Sequence, residues 1–221
     1  YASHAQAYTK PVEVGTGYDN TGEILKPIKN KQNELGVKYE NANILHSLAF
    51  FDLNQASYIK EATNTAIGQK YTQEGDRFKG IEYSLTGKVA DKWNLMGGVL
   101  YLNGKREKLT MGKENLEGKF ATGTPKWNAV LAAEYEADKN TSFIGRANYV
   151  GESHVNDNGV KAPDYMTFDF GVKYKTAINH VPVTLNAMCY NAFDKNYWIS
   201  RGTSVALGAP RTFMLSAQFD I

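Results

Sequence analysis

Apolar residues recur at every second position in ten short stretches, and the interval between them is almost never three or four. Ile81, Tyr83, Leu85 and Val89 alternate with Glu82, Ser84, Thr86 and Lys88. Trp127, Ala129, Leu131, Ala133 and Tyr135 do the same, as do Phe143, Gly145, Ala147 and Tyr149, and Phe168, Phe170, Val172 and Tyr174. The last stretch sets Phe213, Leu215, Ala217, Phe219 and Ile221 against Thr212, Met214, Ser216, Gln218 and Asp220. A period of two places side chains on opposite faces of an extended strand, so the pattern predicts strands with one apolar face.

Ten strands follow, starting with residues 1–9, and Leu35, Val37 and Tyr39 lead into a hairpin over Ile44–Leu53. The register of that second strand stays open, because Leu48-Ala-Phe-Phe51 is continuously apolar. Short turns are predicted near 41–43, 90–92, 138–140 and 176–180. Long polar connections are predicted at 10–31, 55–76, 105–124, 152–162 and 194–210. Short turns at one end and long loops at the other are the asymmetry of an outer-membrane barrel. On that reading the C-terminus is periplasmic and every long loop is extracellular. Trp93, Trp127 and Tyr174, placed beside short turns, would form an aromatic girdle at the inner interface.

Composition narrows the classes further. The chain has 221 residues, 42% of them hydrophobic, and no apolar run long enough for a membrane helix. A barrel escapes that test, since alternation dilutes its apolar residues. Lys and Arg number 25 against 23 Asp and Glu, a balance that asks for no nucleic acid. The loop at 105–124 holds Lys105, Arg106, Lys108, Lys113 and Lys119 with Glu107, Glu114 and Glu117, which reads as a solvated segment. Cys189 stands alone inside an apolar strand, as a packed side chain. His4, His46, His154 and His180 are scattered, with no metal-ligand spacing, and no G-x-S-x-G occurs. An enzyme, a cofactor and a protein metal site are therefore not expected. Gly97-Gly98 lies within a strand, where glycine marks bending or close packing.

Certain short motifs add a family likeness. Asn191-Ala-Phe-Asp-Lys-Asn-Tyr197 followed by Gly208-Ala-Pro-Arg-Thr212 and a final strand resembles the C-terminal end of TonB-dependent outer-membrane receptors. Lys31-Gln-Asn-Glu34-Leu-Gly36, Gly75-Asp-Arg-Phe-Lys-Gly80, Gly123-Thr-Pro125-Lys-Trp127 and Ala162-Pro163-Asp-Tyr165 resemble successive barrel segments of siderophore receptors, in the ferrichrome-related branch.

The resemblance implies an all-β, antiparallel transmembrane barrel of about twenty-two strands filled by an N-terminal plug. Residues 1–221 would be its last ten strands. Tyr1 begins mid-pattern without an initiator Met or signal sequence, so a fragment lacking the plug and earlier strands is expected. The implied function is import of a ferric siderophore with TonB-coupled energy. Implied partners are the siderophore, outer-membrane lipid and, through the N-terminal part, the TonB complex. The iron arrives already chelated, so aromatic rings and hydrogen-bond donors suffice; the candidates are Tyr58, Tyr71, Phe120, Trp198 and Arg201. Arg211, at the start of the last strand, is expected to pair with a carboxylate on a neighbouring strand. Glu82, Glu134, Arg146, Asp169 and Lys173 are expected to form similar lumenal networks. The alternatives are a self-contained ten-stranded barrel acting as pore, adhesin or structural protein, and a soluble carbohydrate-binding β domain.

Overall fold

The computed structural model describes residues 1–107, 116–156, 159–202 and 204–220. Ten strands form one antiparallel sheet: β1 (Ala2–Tyr8), β4 (Lys29–Asn41), β5 (Ile44–Ala62), β6 (Gln69–Ala90), β7 (Trp93–Glu107), β8 (Trp127–Glu136), β9 (Thr141–Val150), β12 (Tyr165–Ile178), β13 (Val181–Tyr190) and β16 (Thr212–Phe219). Each pairs with the next in that order, so the sheet is a meander with β1 and β16 at its edges. Three two-stranded ribbons sit in the long connections: β2 (Val12–Glu13) with β3 (Ile24–Leu25), β10 (Ser153–His154) with β11 (Lys161–Ala162), and β14 (Trp198–Ser200) with β15 (Val205–Leu207).

Register shows why the alternation is so regular. Cross-strand partners share a face, and one row runs Leu35, Phe50, Ile81, Tyr101, Trp127. Another runs Tyr135, Phe143, Val172, Ala187, Leu215. This face is apolar and bare: Leu215 is 82% exposed and Phe213 74%. Bare apolar surface of that extent is stable against acyl chains and unstable in water. The open register at Leu48-Ala-Phe-Phe51 resolves with Leu48 and Phe50 on this outer face, opposite Val37 and Leu35. Cys189 shares it, between Phe170 and Phe213. Gly97 lies there too, where a Cβ would come within 3.2 Å of Leu131, so close packing is its role.

The turn between β12 and β13 uses the left-handed conformations that a tight hairpin requires. Asn179 and His180 have φ of 50° and 68°, the pattern of a two-residue type I′ turn. The predicted turn at 176–180 is therefore narrower than expected.

Several boundaries are corrected. The predicted loop 55–76 is mostly strand: β5 and β6 stay paired to Ala62 and Gln69, leaving 63–68 as the connection. Tyr58 and Tyr71 are thus strand residues. The loop at 105–124 begins after Glu107, and Lys108, Lys113 and Glu114 lie outside the described residues, as does Ile221. Trp127 stands at the end of the long connections, paired with Tyr101, and so does not belong to the girdle beside the short turns. Trp93 does, against Tyr135 with ring centroids 4.8 Å apart; Tyr101 and Trp127 repeat that distance at the other end. Trp93 and Tyr101 are separated on β7 by roughly 26 Å of extended chain, about 20 Å along the membrane normal at a ~40° tilt. Two aromatic belts bracket the apolar band, their spacing somewhat below the ~25 Å apolar girdle typical of outer-membrane barrels.

Candidate functional site

The opposite face of the sheet is polar. Asp169, 3% exposed, takes Nε of Arg146 at 2.7 Å, Nδ2 of Asn148 at 3.0 Å and the backbone N–H of Asn191 at 2.8 Å. Lys173 is ion-paired with Glu134. These expected networks are present, and Glu82 lies on the same face opposite Ala49 and Leu100. Arg211 departs from expectation. Its backbone N–H donates to Asp194 Oδ1 at 2.9 Å and its guanidinium reaches the Ala192 carbonyl at 3.4 Å, so it ties the segment around 191–194 to the last strand.

Asn191 organises what lies above. Its amide nitrogen donates to the carbonyls of Lys195 and Ala209 at 2.9 and 3.0 Å, and its Oδ1 accepts the Lys195 N–H at 2.9 Å. One side chain thus clamps both ends of the connection that carries β14 and β15. Tyr197 in that connection stacks on Tyr165 of the sheet at 4.2 Å. Trp198 and Arg201 are held on this clamped ribbon, Trp198 half exposed and opposite Leu207, with the Arg201 N–H bonded to the Ser204 carbonyl at 2.8 Å.

Phe120 belongs to the neighbouring connection. Its ring stacks on His154 of β10 at 5.3 Å, and Lys126 Nζ lies 4.1 Å from the ring centroid. Gly123 joins the three segments: its N–H donates to the His154 carbonyl at 2.7 Å, and a Cβ there would meet Gly202 N at 2.7 Å. Phe120, Trp198 and Arg201 therefore sit on adjoining loops.

Tyr58 and Tyr71 form a separate group. They stack at 5.8 Å, and Tyr18 of the 9–28 connection closes on Tyr71 at 5.4 Å with Lys60 Nζ 5.6 Å from the Tyr18 ring. Tyr58 Oη donates to the Lys26 carbonyl at 2.9 Å. Asp19 accepts the hydroxyls of Thr63 and Thr65, which hold its carboxyl below the ordinary carboxylate range, Thr63 contributing most. Lys161 Nζ, 2.6 Å from Glu152, lowers that carboxyl in the same way. Sequence reading missed Tyr18, Lys60, Lys126 and His154. Tyr18 and Lys126 stand next to glycine or proline stretches with no periodicity, so nothing local marked them.

Residues 1–192 match the family described as TonB dependent receptor-like, beta-barrel. The chain is 26% identical over its whole length to the ferrichrome receptor FcuA of Yersinia enterocolitica, covering 30% of that protein. It is 27% identical over 91% of its length to the ferripyoverdine receptor of Pseudomonas aeruginosa, covering 26% of it. The solved structure of BauA, the ferric preacinetobactin receptor of Acinetobacter baumannii, superposes on the entire chain with a TM-score of 0.82 and 32% identity; the chain covers 34% of it. The chain thus spans between about a quarter and a third of the length of these three relatives.

Proposed function

Because this chain belongs to the TonB-dependent receptor β-barrel family, we propose that it is the C-terminal part of an outer-membrane receptor that imports a ferric siderophore with TonB-coupled energy. The family is one of transport receptors rather than enzymes. The observation that carries the reading is the full-length superposition on the ferric preacinetobactin receptor at a TM-score of 0.82.

Within that reading the sheet supplies part of the barrel wall. Its outer face meets lipid and its charged inner face lines the lumen, where Arg146, Asp169, Lys173 and Glu134 make fixed networks. Ligand contact is assigned to Phe120, Trp198 and Arg201, on two of the three loops that meet at Gly123. Trp198 presents an apolar ring and Arg201 a cation to a large ligand whose iron is already chelated. Tyr58 and Tyr71 share the register face of Phe50 and Ile81 and enter only as the ring platform that holds the 9–28 connection against the outside of the β5–β6 extension. The plug and TonB contacts lie on the remainder of the receptor.

The test is binding of a panel of ferric siderophores to the full-length receptor by fluorescence quenching, with iron uptake by cells lacking other receptors. Trp198→Ala and Arg201→Ala should each weaken binding of the cognate siderophore about tenfold, as loss of one desolvated contact does. A full-length receptor that binds no ferric siderophore, and supports no iron uptake, overturns the reading.

A further inference from the structure

Asp169 divides its two oxygens between two structures. Oδ2 faces the wall, where it takes Nε and Nη2 of Arg146, both at 2.7 Å, and Nδ2 of Asn148 at 3.0 Å. Oδ1 faces the loop and takes the backbone N–H of Asn191 at 2.8 Å. One residue earlier, the Phe168 carbonyl accepts the Ala192 N–H at 2.7 Å, so the turn is fastened to β12 at two consecutive points. Arg146 is itself braced, its guanidinium 5.7 Å from the ring of Tyr190, and its side chain stands 39% exposed on the lumenal side. The Glu134–Lys173 pair on the same face joins strand to strand instead.

Asn191 passes this hold upward. It stands at φ 47°, a left-handed conformation that asparagine adopts more readily than most residues. Its side chain needs both a donor and an acceptor, since it binds the Lys195 and Ala209 carbonyls and the Lys195 N–H. The segment 196–208 therefore leaves and returns through one residue. A loop closed at its base on a single anchor takes its direction from that anchor.

The ribbon's pose is imposed on it rather than chosen by it. Ser200 Oγ, between Trp198 and Arg201 in the chain, is buried with no hydrogen-bond partner among the described residues. A ribbon free to repack would relieve that cost. Gly202 is likewise pressed on Gly123, where a Cβ would meet its nitrogen at 2.7 Å. Such features persist where the surroundings over-determine them.

We propose that Asp169 and Asn191 are positioning residues for the siderophore: the lumenal wall, through Arg146 and the Asp169 carboxylate, sets the direction in which the 196–208 ribbon presents Trp198 and Arg201. The inference rests on the proposed import function for its ligand, and on the hydrogen bonds above for the link. Linkage makes the coupling reciprocal, so a ferric chelate that favours the seated ribbon strengthens the Asp169–Asn191 bond. The wall then responds to an occupied site that none of its residues touches.

The experiment uses the full-length receptor in detergent, with ferrichrome, ferripyoverdine and ferric preacinetobactin as probes. Hydrogen exchange over 191–211 is a second readout that needs no ligand. Asp169→Ala should weaken the probe that binds the parent about tenfold, and speed exchange over 196–208. Asp169→Asn keeps an acceptor for the Asn191 N–H; it should lose stability yet bind within about twofold of the parent. Affinity and stability then part company. K173Q, which breaks the other lumenal pair, should leave affinity and exchange alone. Asn191→Gly keeps the left-handed turn and removes the clamp; it should behave as Asp169→Ala does, and carries the test should that variant fail to assemble. On a Trp198→Ala/Arg201→Ala background neither change should weaken binding by more than about a further twofold, because both act through those side chains. In the parent, bound probe should slow exchange of the Asn191 amide. Additive losses on that background, equal affinity losses in Asp169→Asn and Asp169→Ala, or parent-like exchange over 196–208 in Asp169→Ala each overturn the inference. A parent that binds no probe overturns the import function instead, and the exchange readout then decides the link on its own.

Discussion

The carboxylate of Asp169, on the lumenal face of β12, accepts the backbone N–H of Asn191 at 2.8 Å while holding Arg146 of β9. A single buried acid therefore links the wall to the loop carrying Trp198 and Arg201.

Replacing that acid should separate its two tasks. Asp169→Asn keeps an acceptor for the Asn191 N–H and loses the charge pair; Asp169→Ala loses both. Expected destabilisation is about 1–2 kcal/mol for the first, moderated because Arg146 is partly solvated, and about 3 kcal/mol for the second. Urea unfolding in detergent gives the order, and Asp169→Ala alone should speed hydrogen exchange across 191–211.

Leu131 stands midway between Trp127 and Tyr135 on the outer face of β8. Leu131→Arg should cost about 2–4 kcal/mol, the depth-dependent penalty for a cation at the bilayer centre. Val130→Lys, one residue away on the lumenal face, should cost under about 1 kcal/mol. Folding into vesicles of defined thickness measures both, and equal costs would reverse the assignment of faces.

Gly123 has φ of 74° and lies against the backbone of Gly202. A side chain there is strained and pushes the two loops apart. Gly123→Ala should cost about 1–3 kcal/mol locally, and on the proposed function it should weaken siderophore binding while leaving barrel assembly unchanged. Binding titration beside heat-modified gel migration separates the two effects.

Acid should release the 9–28 connection. The Asp19 carboxyl is lowered by Thr63 and Thr65, so its contribution is complete above the unfolded carboxylate value of about 4 and fades as pH falls below it, through the folded value. Proteolysis of 9–28 should rise below about pH 4 with the barrel still folded. Asp19→Asn should show that faster cleavage already at neutral pH, and lose the pH dependence.

Much of this architecture was legible in the chain because lipid demands strict alternation, and residues such as Leu131 and Phe143 obey it. The extension of β5 and β6 was not, because beyond the membrane both faces of that hairpin meet water or loops. Its Thr, Asn and Gln positions then lose the period that betrays a strand. Trp127 was misplaced for another reason: an aromatic at a strand end marks an interface, but which interface depends on counting strand direction from the turns. Arg211 found a carbonyl and an aspartate from the adjoining loop, a choice made by the turn after Asn191. The loop groups of Tyr18 with Tyr71, and Phe120 with His154, join segments far apart in sequence and leave no local trace.

Among the described residues, the buried hydrophobic side chains Val14, Leu25, Ile28, Ala121, Val155 and Ala162 lie in the long connections or their ribbons, with Val183 of β13 the exception; the sheet's own apolar side chains mostly stand uncovered. One polypeptide thus answers to two solvents. The caps are condensed by water, as any small globular protein is, and the wall is condensed by the bilayer. Chaotropes act on the first and delipidation on the second, so the caps can melt and re-form over an intact wall.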